Sequence, residues 1–393
     1  MGRKADLGFP APIKSEGAGL GPERVNMTMA IADGALPLRY LFALPGFHQE
    51  ERGAEVALLS VANELAIAGN AVTVIGAGPP RPGLSYTYRQ ARAINRRRLE
   101  RLPRIPPFRS ETVWEDASFA LSLVKAYDPR DFDVTLTCNF PFTHWALRRG
   151  GKDRPKHLFV TQNGDWPARS RQSEYRTFRC DGLVCTNPDY EAGNRQRWRT
   201  ALIPNGIDPA RFAGVAGDRA AFGLPDDRQV VLMVSAFIET KRVTKGMEAV
   251  AALPDVHFAV AGDGPLRAEV EELAARILPG RFTRLELPAT RMPALYRSAD
   301  VFLHMSLLES FGNVFVEAMA SGLPIVGHDT PRLRWIVGAR ETLCDTTDRA
   351  ATIAALRHAL AQGVGAPDPR ADKFTWPAIA KQYDSFAREV LAG

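Results

Sequence analysis

The segment LLESFGNVFVEAMASGLPIVG, residues 307–327, places two carboxylates, Glu309 and Glu317, in a stretch that is otherwise mostly apolar. With the residues before it, the pattern predicts a buried strand over 301–305, a loop, and a helix over 313–321. A glycine and a proline then end the helix, and LPIVG predicts a second buried strand. Strand, helix and strand in this order are typical of a parallel α/β sheet.

Glu317 lies just over one turn into the predicted helix, among apolar residues. Its neighbours four residues away, Asn313 and Ser321, cannot neutralise it. Burying even a neutral polar group without a partner costs roughly 2–7 kcal/mol. Glu317 is therefore either held at a helix edge, by water or by an Arg from elsewhere, or it binds ligand hydroxyls. The burial argument favours ligand binding.

The chain of 393 residues is 45% hydrophobic and 24% charged, which is typical of a globular protein with room for two cores. Apolar strands alternate with amphipathic helices in two series, which begin near residues 38 and 230, so we expect two doubly wound α/β domains. The turn Pro204-Asn205-Gly206 lies between the series. We predict a flexible tail over 1–36, a first Rossmann-like domain over 37–203, a second over 204–373, and a helix over 374–393 that returns to the first domain.

At residues 309–317 the chain resembles the family-4 retaining glycosyltransferases, which carry two glutamates at this spacing before a Gly-Leu-Pro strand. The resemblance implies the GT-B fold, in which two Rossmann-like domains face a central cleft. It also implies that Glu317 binds the ribose hydroxyls of a sugar nucleotide and that Glu309 lies beside the donor sugar. Backbone amides at the helix start would meet the diphosphate, which agrees with the anion preference of helix N-termini. These residues are Phe311, Gly312, Asn313 and Val314.

Other segments extend the resemblance over about residues 38 to 392. PNGID, at 204–208, matches the family sequence before the second domain. FAVAGDGPLRAEVEELA matches a strand, turn and helix of the family, and it adds Gly262, Gly264 and Pro265 as donor-side candidates; the alternative is an ordinary turn between strand and helix. In the first loop Gly53 matches the second glycine of a Gly-Gly motif, whereas Arg52 replaces the first.

The cations that would hold a diphosphate are expected in VSAFIETKRVTKG. The resemblance places Lys241 at the diphosphate with Arg242 beside it, and Ala236 where the family often has an Arg. Arg242 would compensate for that lost charge, with Lys245 as a reserve. The alternative is a pair of basic residues on a solvated loop.

The acceptor side departs further from the family. Gln162 stands where many members have a His, and it can bind a sugar hydroxyl but cannot take a proton. Asn163, Asp165 and His144 are the nearby polar candidates, although a structural role is favoured for His144. His304 alternates with core residues, so we expect it to be packed.

Eight arginines lie between Arg89 and Arg109, with apolar residues among them. Two interpretations remain open: peripheral contact with anionic lipids at the inner face of a membrane, or a solvated segment whose Arg stems pack on the domain. Without an aromatic platform or zinc spacing, a nucleic-acid partner is not expected. The beginning of the sequence lacks the apolar core of a signal peptide, and the four cysteines lack Cys-x-x-Cys spacing. Both observations predict a cytoplasmic protein.

The sequence thus predicts a glycosyltransferase that moves a sugar from a nucleoside diphosphate sugar to a hydroxyl of a glycan or lipid-linked acceptor. Retention of configuration and a setting in surface polysaccharide or glycolipid synthesis rest on the resemblance. We expect no metal, because no His-Glu-x-x-His pattern is present, and no cofactor beyond the sugar nucleotide. Three alternatives on the same fold remain open. An epimerase or hydrolase would turn over the donor without an acceptor. A non-catalytic sugar-nucleotide-binding protein would bind the donor without turnover, and an interaction protein would do neither.

Overall fold

The computed structural model describes residues 36–50, 52–171, 173–212, 214–339 and 342–393. Leu36–Gly393 forms one compact unit. The tail expected over 1–36 lies outside the described residues, apart from its last residue.

The first half of the unit contains a seven-stranded parallel sheet. Its strands are β1 (Arg39–Ala43), β2 (Ala71–Gly76), β3 (Thr87–Gln90), β4 (Val134–Thr137), β5 (Lys156–Val160), β6 (Gly182–Cys185) and β7 (Thr200–Leu202). In space they run β3-β2-β1-β4-β5-β6-β7. The chain builds outward from β1 and returns to place β4 on its other side, which leaves a crevice at the carboxyl ends of β1 and β4.

The second half repeats this plan with six parallel strands. They are β8 (Gln229–Val234), β9 (Val256–Ala261), β10 (Phe282–Leu285), β11 (Val301–Leu303), β12 (Ile325–His328) and β13 (Thr342–Cys344). Their order is β10-β9-β8-β11-β12-β13, so a second crevice lies at the ends of β8 and β11.

Helices cover both faces of each sheet. Alternate residues of β1 show this for the first sheet, since Tyr40 and Phe42 join one core while Leu41 and Ala43 join another. None of the helices in the described part of the chain has an apolar stretch long enough to cross a membrane. They are α1 (Gly53–Ile67), α2 (Glu111–Ala126), α3 (Phe142–Leu147), α4 (Trp166–Arg169), α5 (Pro188–Asn194), α6 (Val243–Ala251), α7 (Arg267–Ile277), α8 (Met292–Arg297), α9 (Asn313–Ala320), α10 (Pro331–Val337), α11 (Arg349–Gln362) and α12 (Trp376–Ala392).

The last helix, α12, follows the second sheet in sequence but packs on the first. Its residues Ile379, Tyr383 and Phe386 are buried in the same core as β1. Tyr40 of β1 donates a hydrogen bond from its hydroxyl to Asp384, at 2.8 Å. Burial of this apolar face ties the end of the chain to the first domain.

The sequence missed two strands, β3 and β13, and both lie at sheet edges. The four residues of β3, TYRQ, are mostly exposed, and β13 has three residues, none of them fully buried. An edge strand needs no continuous apolar run, so neither produced a recognisable pattern. The arginine-rich segment begins in β3 and continues through the short 3-10 helix Arg96–Arg98.

Candidate active site

A cleft with a volume of about 1280 Å³ opens between the two sheets. We name the two walls after the roles that the sequence analysis predicted for them. Residues that follow β1, β4 and β5 line one wall, which we call the acceptor wall. Residues that follow β8, β9 and β11, together with the start of α9, line the other, which we call the donor wall. Sites for one small ligand usually measure about 300–1,000 Å³. The cleft is therefore larger than a site for one small ligand usually is.

On the donor wall, Glu309 lies at the centre of a three-residue cluster. Lys241, from the loop after β8, forms an ion pair with its Oε1. His304, which follows β11 and is almost fully buried, lies 3.1 Å from the same oxygen through Nε2. No partner for Oε2 is found within the described ranges, so that oxygen is open to a ligand.

These contacts change the acidity of Glu309. Burial alone would raise its pKa, but the hydrogen bond with His304 and the charges of His304 and Lys241 outweigh it and lower the pKa to about 2. The side chain of Glu309 is about one-fifth exposed. It is therefore a fixed negative charge at the cleft surface at neutral pH.

Glu317 projects from the second turn of α9 into the same cleft. Its partner is a hydroxyl, because Tyr296 of α8 donates to Oε2 at 2.8 Å. Burial raises the pKa of Glu317, while the Tyr296 bond and the charge of Arg211 act in the opposite direction. Within the described ranges, Tyr296 is thus the hydrogen-bond partner of the carboxylate for which the sequence offered none, and the other oxygen of Glu317 has no partner there.

The start of α9 lies between the two glutamates. Gly312 has a φ of 87°, and a Cβ there would come within 2.7 Å of the Phe315 ring, so this position needs glycine. No side chain caps the helix at Gly312. Asn313 and Val314 line the cleft beside it, and Phe311 reaches the cleft while packing on Trp335 and Phe374.

The expectation for Arg242 needs correction. Its guanidinium donates to the carbonyl oxygen of Met305 at 3.1 Å and to that of Thr346 at 2.9 Å, and it does not line the cleft. Its backbone adopts the left-handed conformation, with a φ of 53°, which directs its side chain differently from that of Lys241. Arg242 thus braces the loop after β11. The reserve candidate, Lys245, pairs with Glu248 on the exposed surface of α6.

Of the three candidates in the turn after β9, Gly262 lines the cleft, whereas Gly264 and Pro265 do not. A Cβ at either glycine would collide with the backbone of residues 235–237. These glycines let the loops after β8 and β9 pack closely.

The acceptor-side candidates separate into two groups. Gly53, Gln162 and Asn163 line the cleft. Asp165 is buried outside it, where Asn194 donates to its Oδ2 at 3.0 Å. His144 is fully buried, 3.1 Å from the ring of His157, and desolvation lowers its pKa. The core of the domain therefore encloses these two residues away from the cleft, which for His144 agrees with the structural role favoured from the sequence.

Sequence reasoning missed several residues of the site. His304 is buried as expected, but it also binds Glu309, and Tyr296 gave no signal because its partner is 21 residues away. Arg96 was counted within a basic segment, although it lines the cleft. Asp116 follows Glu115 in α2, yet it lies at the cleft and caps the start of α3.

Polar contacts join the two walls at one end of the cleft. The side-chain amide of Asn187, before α5, donates to the carbonyl oxygen of Ser310, the residue after Glu309. Asp189 of α5 accepts a bond from Nε of Arg332 in α10, at 2.9 Å. The loop that carries Glu309 is thus anchored to the acceptor-side domain.

Two family models match successive parts of the chain. The model described as Glycosyltransferase Family 4 matches residues 52–211, and the model described as Glycosyl transferases group 1 matches residues 216–373. Together they cover most of the chain. The chain belongs to glycosyltransferase family 4. The family resemblance predicted from residues 309–317 is confirmed.

Curated relatives match this family-4 chain over part of its length. A lipopolysaccharide core biosynthesis glycosyltransferase of Rhizobium meliloti is 32% identical over 45% of this chain and 52% of its own length. A 2-deoxystreptamine glucosyltransferase of Streptomyces kanamyceticus is 32% identical over 50% of both chains. The chain spans about half the length, or less, of the first curated relatives it matches.

Solved structures match nearly the whole family-4 chain. A sucrose-phosphate synthase of Thermosynechococcus elongatus superposes with a TM-score of 0.71 at 23% identity, over 91% of this chain and 100% of that one. HepE of Anabaena, solved with UDP and glucose, gives 0.63 at 17% identity, over 88% and 98%. These likenesses concern the fold, and the predicted GT-B fold is confirmed.

Proposed function

We propose that this protein transfers a sugar from a nucleoside diphosphate sugar to a hydroxyl group, with retention of anomeric configuration. The observation that carries the proposal is the cluster of Lys241, Glu309 and His304 beside the uncapped start of α9. A cation and free backbone N–H groups suit a diphosphate, and Glu317, eight residues after Glu309, suits ribose hydroxyls.

In the proposed reaction, the bond between the anomeric carbon and the diphosphate oxygen breaks while the acceptor oxygen bonds to the same face of that carbon. The acceptor proton passes to the leaving phosphate. Lys241 and the N–H groups of Asn313 and Val314 stabilise the charge on the departing diphosphate. Glu309, which remains ionised, stabilises the positive charge that develops on the sugar. Closure of the two domains would exclude water and so limit hydrolysis of the donor.

We infer a glycan or lipid-linked acceptor and a setting in surface polysaccharide or glycolipid synthesis. A relative named for lipopolysaccharide core biosynthesis, and another named as an α-monoglucosyldiacylglycerol synthase, support this. No metal is assigned a part in the reaction, so activity should be the same with and without a chelator.

The experiment that tests the function begins with a titration of the protein with UDP, GDP, ADP and dTDP in the presence of EDTA. The nucleotide that binds best then selects the sugar nucleotides for assays with and without glycan acceptors. Donor turnover that requires an acceptor would support a transferase. Turnover without one indicates the hydrolase or epimerase, binding without turnover indicates a sensor, and failure to bind any nucleotide contradicts the proposal.

The arginine-rich segment supports a further proposal, peripheral contact with anionic lipid at the inner face of a membrane. Ile94, Leu102 and Ile105 in this segment are between 39% and 55% exposed. Basic side chains with exposed apolar neighbours suit a bilayer surface. Replacing Arg97, Arg98 and Arg101 by Ser should reduce sedimentation with phosphatidylglycerol vesicles, and unchanged sedimentation would contradict the proposal.

A further inference from the structure

The acceptor wall presents arginines to the cleft and hides the carboxylates that hold them. Arg52, just before α1, pairs with Glu55, and its side chain is 38% exposed whereas that of Glu55 is 5% exposed. Arg96 pairs with Glu115 at 2.9 Å, and the exposed fractions are 29% and 5%. Both arginines line the cleft. Glu55 also lines the cleft, but a ligand on this wall would meet much more guanidinium surface than carboxylate surface.

Each guanidinium has donors that its carboxylate does not use. Among the described residues, each arginine binds its glutamate through one terminal nitrogen of the guanidinium, Arg52 to Glu55 and Arg96 to Glu115. The Nε atom of each is buried and lacks a partner there. A guanidinium has five N–H donors in a fixed planar arrangement that matches carboxylates and phosphates.

The remaining carboxylate on this wall, Asp116, is already occupied. It is 1% exposed and accepts hydrogen bonds from the backbone N–H of Phe142 at 2.8 Å and of Thr143 at 3.2 Å. Burial raises its pKa to about 6, although these hydrogen bonds act in the opposite direction. Asp116 organises the start of α3, and although it is mostly ionised at neutral pH, its carboxylate is enclosed rather than exposed to the cleft.

Arg52 lies near the carboxyl end of β4, and α2 holds Arg96 in the same cleft. Electrostatic effects of Glu55, Arg52 and Asp116 all reach the thiol of Cys138, the residue after that strand. Glu115, the neighbour of Asp116 in α2, holds Arg96 by its side chain and by its backbone N–H, at 3.2 Å. Further hydrogen-bonding side chains line the cleft here, namely Ser110, Thr112, Asn139 and Asn163.

We propose that Arg52 and Arg96 form a subsite for an anionic group, a phosphoryl or a carboxylate, on the acceptor. The inference rests on the proposed function only in assigning this ligand to the acceptor. The cleft cation of the donor wall, Lys241, is assigned to the diphosphate in the proposed function, so an anionic group of the acceptor is left to the acceptor wall. The subsite selects acceptors that carry a negative charge near the reacting hydroxyl.

The test uses the full chain with its donor site saturated by the nucleoside diphosphate that binds best. Glucose 6-phosphate, glucuronate, inorganic phosphate and methyl glucoside are then titrated calorimetrically. At least one charged sugar should bind ten or more times as tightly as methyl glucoside. Preference for glucose 6-phosphate identifies a phosphoryl subsite, preference for glucuronate a carboxylate subsite, and inorganic phosphate shows whether the sugar is needed.

Variants connect the binding to the two arginines. Arg52→Gln and Arg96→Gln should each weaken binding of the charged sugar at least tenfold, and Arg96→Lys should restore part of it. The neighbouring Arg97→Gln is the matched control, since Arg97 is exposed and lies outside the cleft lining. The double variant Arg96→Gln with Glu115→Gln leaves no buried carboxylate unpaired and should bind as weakly as Arg96→Gln alone. Thermal unfolding checks that each variant is folded.

Equal binding of charged and neutral sugars, or equal binding of the charged sugar by wild type and both arginine variants, would overturn the proposal. Absence of binding by every charged probe would overturn it as well. If no nucleotide binds, the proposed function fails separately. The same titrations, repeated on Lys241→Ala to remove the donor-side cation, then still decide whether an anion subsite exists on the acceptor wall.

Discussion

The two walls of the cleft differ in how the chain builds them. On the donor wall, Glu309 and Glu317 lie eight residues apart, on one loop and one helix, and Lys241 and His304 contact Glu309 from elsewhere in the chain. The acceptor wall is assembled from residues that follow three strands and from the start of α2, and of its two ion pairs only Arg96–Glu115 joins separate segments, whereas Arg52 and Glu55 lie within one helical turn. Site residues that lie in one short segment can be recognised in the sequence, whereas site residues that come together from distant segments cannot.

The largest expected effect tests the donor wall. Glu309→Gln should lower kcat about 100- to 1,000-fold, by analogy with the loss of about 2.7–4 kcal/mol when a preorganised electrostatic group is removed. Nucleotide affinity should change little, because the charge acts on the sugar in the transition state. Steady-state kinetics and a nucleotide titration separate the two effects.

Glu271→Gln is the matched control for that change. Glu271 is a half-exposed carboxylate of α7 that pairs with Arg267 at 2.9 Å, away from the cleft. Its variant should keep the wild-type kcat. If Glu309→Gln retained more than a tenth of the wild-type kcat, the proposed catalytic role of Glu309 would be wrong.

The same contrast explains what sequence could and could not predict. The alternation of apolar strands and helices predicted both domains, and the capping glycine located α9 within one residue. Lys241 could be aligned from the end of β8. Arg242 could not be placed, because its direction depends on a left-handed backbone and on Thr346, more than a hundred residues later. Asp165 could not be separated from Gln162 and Asn163, since burial depends on helices packed from elsewhere.

The second prediction concerns nucleotide recognition. Glu317→Ala should weaken nucleoside diphosphate binding about 10- to 100-fold, because hydrogen bonds to charged groups contribute about 1.5–3 kcal/mol. Burial raises the pKa of this carboxyl above 4.5. Wild-type affinity for the nucleotide should therefore fall as pH decreases through that pKa, because a protonated Glu317 no longer accepts the hydrogen bonds of the ribose. Glu317→Gln should remove that pH dependence.

A double-mutant cycle shows whether the ribose is the partner. Wild type should bind a 2′,3′-dideoxy nucleotide much more weakly than the natural one, whereas Glu317→Ala should bind both alike. If loss of the two hydroxyls weakened nucleotide binding equally in both proteins, Glu317 would not be the partner of the ribose. The assignment of the donor wall would then be less secure.

The third prediction is a pH dependence of stability from Glu309. Its pKa is lowered from 4.5 to about 2 in the folded protein, so it contributes stability above pH 4.5 that is lost as pH falls towards 2. Between pH 5 and pH 3 the wild type should lose about 2 kcal/mol more unfolding free energy than Glu309→Gln. Urea unfolding at several pH values measures the difference, and parallel curves for the two proteins would show that Lys241 and His304 do not stabilise the carboxylate.

The smallest effect is expected where the walls meet. Asp189 and Arg332 join the two domains beside the cleft, but the side chain of Asp189 is 56% exposed, so solvent screens the pair. A double-mutant cycle with Asp189→Asn and Arg332→Gln should give a coupling of about 0–1 kcal/mol that disappears at high salt. Such weak coupling would allow the walls to separate for product release and close again over new substrates. A salt-resistant coupling above about 2 kcal/mol would mean that the walls act as one rigid surface. The two walls would then differ in how the sequence assembles them but not in how they move.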